Sequence, residues 1–115
     1  MITLDEVRAV ALPLPRTSEH LIRDYVKFRI GAIVYASVSP DETLLGFGFP
    51  REERDALIAS EPAKFVLPRL SDQRFNWLVA RMSELGPAEM RELITDAWCM
   101  CVPKKVRVAH LGTLP

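Results

Sequence analysis

From Asp24 to Ile30 the apolar residues recur at every second position. Such a stretch must run as a strand, because a helix would scatter alternating residues around its whole circumference. Val26, Phe28 and Ile30 alternate with Tyr25, Lys27 and Arg29 over Asp24 to Ile30, so one face is apolar and the other carries a tyrosine and two cations. Gly31 marks a turn into a second strand over Ala32 to Ser39, rich in β-branched and aromatic residues. Pro40-Asp41-Glu42 turns into a third, Thr43 to Phe49, with Gly46 and Gly48 on one side and Leu45, Phe47 and Phe49 on the other. Turns this short join antiparallel neighbours, which makes a meander.

Helical patterns flank the meander. Thr3 and Glu6 have capping-box spacing, and Leu4, Val7, Ala11 and Leu14 follow as one stripe that Pro13 and Pro15 end. Arg16 to Leu21 reads as a connection. Pro50 opens a second helix, with Glu52 and Glu53 placed against its dipole, Leu57 and Ile58 as its apolar contact, and Pro62 as its boundary. Residues 63–73 are irregular or hold a short strand. Arg74 to Met82 is a further strand, with Phe75, Trp77 and Val79 on one side. After Gly86-Pro87 the most periodic helix presents Met90, Leu93, Ile94, Ala97, Trp98 and Cys101, and Pro103 closes it before a short basic tail, 103–115. The expected class is α+β, an antiparallel sheet of four to five strands with three helices in the order α-β-β-β-α-β(β)-α. A chain of 115 residues suits one domain, 1–115, which buries roughly 65% of its unfolded surface and needs no disulfide or metal to fold. Trp77 and Trp98 are expected in its core.

Several chemistries find no support in these residues. The N-terminus has no basic segment followed by an apolar run, and Gly31 to Val38 falls far short of the roughly 20 residues of a membrane helix. A cytoplasmic protein without membrane contact is therefore expected. Cys99 and Cys101 would point about 200° apart on a helix and cannot share a metal or close a bridge there. The only histidines are His20 and His110, and there is no nucleophile elbow, phosphate-binding loop or dinucleotide fingerprint. The acidic pairs Asp5-Glu6, Asp41-Glu42 and Glu52-Glu53 occupy caps and turns, where carboxylates have a structural purpose. No catalytic residue, metal or cofactor is expected.

The formal net charge is zero, which argues against binding nucleic acid by bulk charge. The charges are nevertheless segregated. Residues 41–62 and 83–102 are acidic, whereas 63–82 and the tail from Pro103 are each cationic. Eleven of the fifteen cations are arginines, suited to bidentate phosphate or base contacts. Should strands, loop and tail converge, they would make a basic face interleaved with Tyr25, Tyr35 or Trp77.

The segments Leu12-Pro13-Leu14-Pro15-Arg16-Thr17-Ser18-Glu19-His20 and Lys27-Phe28-Arg29-Ile30-Gly31-Ala32-Ile33-Val34-Tyr35-Ala36 resemble, in order, the LPxxxE segment and glycine hairpin of the MmcQ/YjbR family. Pro50-Arg51-Glu52-Glu53-Arg54, the Trp77 strand and Ala97-Trp98 before Pro103-Lys104-Lys105 continue the likeness, which spans roughly residues 2 to 106. Ala32 replaces a glycine, Ile33 a lysine, and Asn76 the histidine that often precedes the tryptophan. The resemblance implies an α+β "double wing" module that binds DNA without catalysis. Lys27, Arg29, Arg69, Arg74, Lys104, Lys105 and Arg107 are the expected phosphate contacts on double-stranded DNA, and alanine at the last three is expected to flatten the salt dependence. A protein-interaction module or homodimer is the alternative partner class, and a small-ligand or enzymatic site containing His20 or a carboxylate cluster is a third.

Overall fold

The computed structural model describes residues 1–112. Helix α1 (Leu4–Ala11) begins at the expected capping box: the Glu6 amide donates to Thr3 Oγ1 at 3.2 Å, and the Thr3 amide donates to Glu6 Oε1 at 3.1 Å. There follow β1 (Thr17–Ile22), β2 (Tyr25–Ile30), β3 (Ile33–Val38), β4 (Leu44–Gly48), α2 (Arg51–Ser60), β5 (Phe65–Val66), β6 (Trp77–Arg81), α3 (Pro87–Cys99) and α4 (Lys104–Leu111). All six strands pair antiparallel in one sheet of order β1-β2-β3-β4-β6-β5.

The α+β class and the meander stand as expected, with more elements than the sequence pattern suggested. Arg16 to Leu21 is not a simple connection, because Thr17–Ile22 forms the edge strand β1. Thr17 and Glu19 on its inward side are polar and satisfied, and Leu21 beyond them stays exposed: Glu19 accepts from Arg8 Nε of α1 at 3.0 Å, and Thr17 Oγ1 lies 2.8 Å from Tyr35 Oη. Arg23 and Asp24, with φ of 53° and 69°, make the two-residue turn from β1 to β2. Within the basic tail, Lys104–Leu111 forms α4, because Pro103 takes the N-cap place and starts a helix; 113–115 lie outside the described residues.

Register explains the core. Phe28, Ala36, Phe47 and Leu78 sit side by side across β2, β3, β4 and β6, and Val38, Leu45, Ala80 and Phe65 form the next row. Both rows are buried beneath α1 and α3, which contribute Val7, Ala11, Met90, Ile94, Ala97 and Trp98 to the same cluster. Each large side chain so covered is worth about 1.5–3 kcal/mol. A register shift after Phe28 turns Tyr35 inward as well, where its hydroxyl faces Thr17 and donates to Ala11 O at 3.5 Å. Burial pushes the Tyr35 phenol up to about 12, against a smaller opposing effect of the Thr17 hydrogen bond. Among the described residues no helix is long and apolar enough to cross a membrane.

Trp98 is a core residue, with its indole N–H donating to Pro15 O at 2.9 Å. Trp77 is not. Its register partner is Gly48, and its half-buried indole lies on the opposite, outer face of the sheet.

Candidate functional site

The same alternation that buries Phe28 and Phe47 sends their neighbours outward. Lys27, Ser37, Gly46, Val79 and Val66 form one row across the outer face of β2, β3, β4, β6 and β5. Gly46 leaves this row open at its centre, and the Trp77 indole fills the opening. A β-carbon at Gly46 would meet the ring at 2.8 Å, so the close approach requires glycine.

Between this row and residues 69–77 lies a groove of about 430 Å³. That is enough for one nucleobase-sized group. Tyr25, Trp77 and Phe75 give it aromatic surface, and Lys27, Arg69 and the carboxylate of Asp72 give it charge. Arg69 donates through Nε to Asp72 at 2.8 Å, while Lys27 lies 6.0 Å from the Tyr25 ring centre and pairs with no carboxylate among the described residues. Ser37 and Asn76 add neutral polar groups.

The wall of the groove is held by α2, whose role the sequence did not disclose. Arg54 is buried beneath it and donates to the carbonyls of Gln73 at 3.0 Å, Trp77 at 3.2 Å and Phe75 at 3.4 Å. Arg51 donates from its side chain to Arg74 O at 2.7 Å and from its amide to Asn76 Oδ1 at 3.1 Å. Two arginines in an otherwise acidic helix were the only available signal, and solvent exposure explained them equally well.

The seven expected cations separate into groups. Lys27 and Arg69 share the groove, and Arg74 stacks 4.7 Å from the ring centre of Phe75 at its edge. Arg29 lies beyond Lys27 on the outer face of β2, turned toward His20, with Nη2 3.1 Å from the ring Nε2. Lys104, Lys105 and Arg107 lie on α4 and line no part of the groove. Arg107 instead donates to the carbonyls of Cys99 and Val102 at 3.1 and 3.2 Å, closing the end of α3.

His20 and His110 occupy different surroundings: Ser18 Oγ lies 2.8 Å from His20 Nε2, whereas the His110 ring sits edge-on to Trp98 at 5.4 Å. Cys99 ends α3 and Cys101 follows it. Burial pushes both thiols up, which disfavours the reactive thiolate. No group of three or more His, Cys, Asp or Glu side chains among the described residues could hold a metal ion.

Comparison with known proteins adds two findings. The model of the YjbR family matches residues 12–100, which takes in the whole outer face. The crystal structure of the Deinococcus radiodurans protein DR2400, a DUF419 domain, superposes with a TM-score of 0.77 at 20% identity, over 100% of this chain and 91% of that one. At that identity the likeness concerns the fold alone. No curated protein matches the sequence.

Proposed function

This chain belongs to the YjbR family, and from that premise we propose that it is a non-catalytic DNA-binding module whose contact surface is the outer face of the sheet. The observation that carries this reading is the meeting of Lys27 and Arg69 with Tyr25, Phe75 and Trp77 in one groove. Aromatic rings accept bases by stacking, and neighbouring cations hold the backbone that links them. A groove of about 430 Å³ has room for an unpaired base, which an intact duplex keeps inside its stack. The reading therefore favours single-stranded DNA, or a duplex with a displaced base, over the intact double strand expected from the resemblance.

The zero net charge sets the strength. With Lys27, Arg69 and, at the groove's edge, Arg74 each neutralising one phosphate, log affinity falls against log salt with a slope of about −2 for a single strand. Fluorescence anisotropy of a labelled oligonucleotide, titrated with the full chain at several salt concentrations, measures both affinity and slope. Replacing Trp77 by alanine lowers affinity at every salt concentration, whereas Lys27→Ala with Arg69→Ala also flattens the slope. An affinity unchanged in both variants overturns the reading.

A second reading has its own observation. Phe75 is 51% exposed and Leu70 84% exposed on the segment that walls the groove. Apolar side chains so displayed suit a protein partner or a second copy of this chain. Concentration-dependent association abolished by Leu70→Ser, with no DNA bound, would favour that alternative.

A further inference from the structure

Beyond the groove the outer face continues onto the β1–β2 hairpin. Ser18 faces Arg29 in register, and His20 faces Lys27. Strict antiparallel pairing places all four on one side of the sheet, the side on which Lys27 lines the groove. Glu19, the carboxylate between Ser18 and His20, is on the other side and bound to Arg8. Two cations, an imidazole and a hydroxyl thus share one small area with no carboxylate hydrogen-bonded to any of them among the described residues.

The cluster contains only groups able to donate to an anion, and its internal bonds are those of groups with nothing better to hold. Arg29 spends its Nη2 on the His20 ring, at 3.1 and 3.3 Å from the two nitrogens, although guanidinium prefers a charged oxygen acceptor. Its Nε is buried without a hydrogen-bond partner, as are those of Arg54 and Arg107, so Nη2 is the donor that Arg29 offers on this face. A tetrahedral oxyanion would draw Nη2 away from the ring, leave the imidazole free to donate, and receive Ser18 Oγ and Lys27 Nζ from its flanks.

We propose that Ser18, His20, Lys27 and Arg29 form a phosphate subsite, and that Lys27 joins it to the groove so that one nucleotide spans both, its base against Trp77 and its phosphate on the hairpin. The spanning occupant rests on the DNA-binding reading; the phosphate subsite does not need it. The phosphate of a DNA strand and that of a free mononucleotide share this chemistry, and the test separates them.

Two-dimensional NMR of the full chain follows three titrations: inorganic phosphate, thymidine 5′-monophosphate and a single-stranded oligonucleotide. Inorganic phosphate is expected to shift the signals of residues 18–29 and the His20 ring and to leave the Trp77 indole unmoved. The mononucleotide is expected to shift both regions, and the oligonucleotide to do so at concentrations at least tenfold lower. An oligonucleotide no tighter than the mononucleotide makes the free nucleotide the occupant and overturns the DNA reading alone. Arg29→Gln and, as a milder change, His20→Gln are each expected to abolish the phosphate shifts and to weaken the oligonucleotide about tenfold. Phosphate shifts absent from the hairpin, or retained in both variants, overturn the subsite even where the oligonucleotide still binds the groove. Hairpin shifts with phosphate and no binding of the oligonucleotide leave the subsite standing and overturn the DNA reading instead.

Discussion

The indole of Trp77 lies flush over the α-carbon of Gly46, two strands meeting where one contributes a large ring and the other no side chain at all. This contact makes the floor of the groove, and it fixes which face of the tryptophan remains for a ligand. Replacing Gly46 by alanine puts a methyl group 2.8 Å from the ring. The strand gains about 0.5–1 kcal/mol of backbone preference from losing a glycine, but overpacking costs about 1–3 kcal/mol. The expected outcome is net destabilisation in urea, a shifted tryptophan emission and weakened oligonucleotide binding. A variant as stable as the parent with unchanged emission contradicts the contact.

Arg54 organises the wall without touching the groove. Its removal by Arg54→Met leaves the carbonyls of Gln73, Phe75 and Trp77 without their donor, at a cost of about 2–3 kcal/mol. Amide hydrogen exchange should accelerate first over residues 73–77. Lysine at this position restores the charge but not the forked geometry and should rescue little. Uniform protection across the variant would show that the arginine does not hold that segment.

Tyr35 links the sheet to α1 and gives a pH dependence of definite sign. Its phenol keeps its proton to about 12 in the folded chain, against an ordinary value of 10. The contribution is fully present below pH 10 and is lost as pH rises through 12, because the unfolded chain ionises first. In a Tyr25→Phe background Tyr35 is the one tyrosine, so its absorbance titration should centre near 12 until the fold gives way. Tyr35→Phe should remove that alkaline slope and cost about 1 kcal/mol near neutrality through the lost hydrogen bonds to Thr17 and Ala11.

The cations of α4 have different duties from those of the groove. Arg107→Ala frees the carbonyls of Cys99 and Val102 and should lower stability by about 1–2 kcal/mol. Lys104→Ala with Lys105→Ala should change stability by no more than about 0.5 kcal/mol and leave the salt slope of DNA binding nearly intact. A slope flattened by the lysine pair as strongly as by Lys27→Ala with Arg69→Ala would extend the contact surface to α4.

Much of this arrangement could be read from residue order. Alternation placed Phe28, Leu45 and Phe47 inward and Lys27 outward, and the capping box at Thr3 fixed where α1 starts. Strand β1 escaped because two of its inward residues are Thr17 and Glu19, whose polar groups are satisfied by Tyr35 and Arg8 from elsewhere in the chain. Helix α4 escaped because Pro103, which reads as the close of α3, is the N-cap of the next helix, and the first turn of α4 carries lysines in place of carboxylates. Trp77 and Trp98 look alike as large apolar residues in periodic segments. Only the pairing of β4 with β6 shows that one is core and the other floor. Convergence of Lys27 with Arg69, far apart in sequence, likewise depends on how residues 69–76 fold back over the sheet.

The central claim is that one groove on the outer face holds DNA by aromatic and cationic side chains together. Anisotropy of a labelled single-stranded oligonucleotide at about 50 mM salt, compared between the parent chain and Lys27→Ala with Arg69→Ala, tests it most directly. The account predicts saturable binding by the parent, a salt slope near −2, and for the double variant a weaker complex with a slope nearer −1. No binding of single-stranded or duplex DNA by the parent at that salt, or equal affinity and slope in the variant, would contradict it.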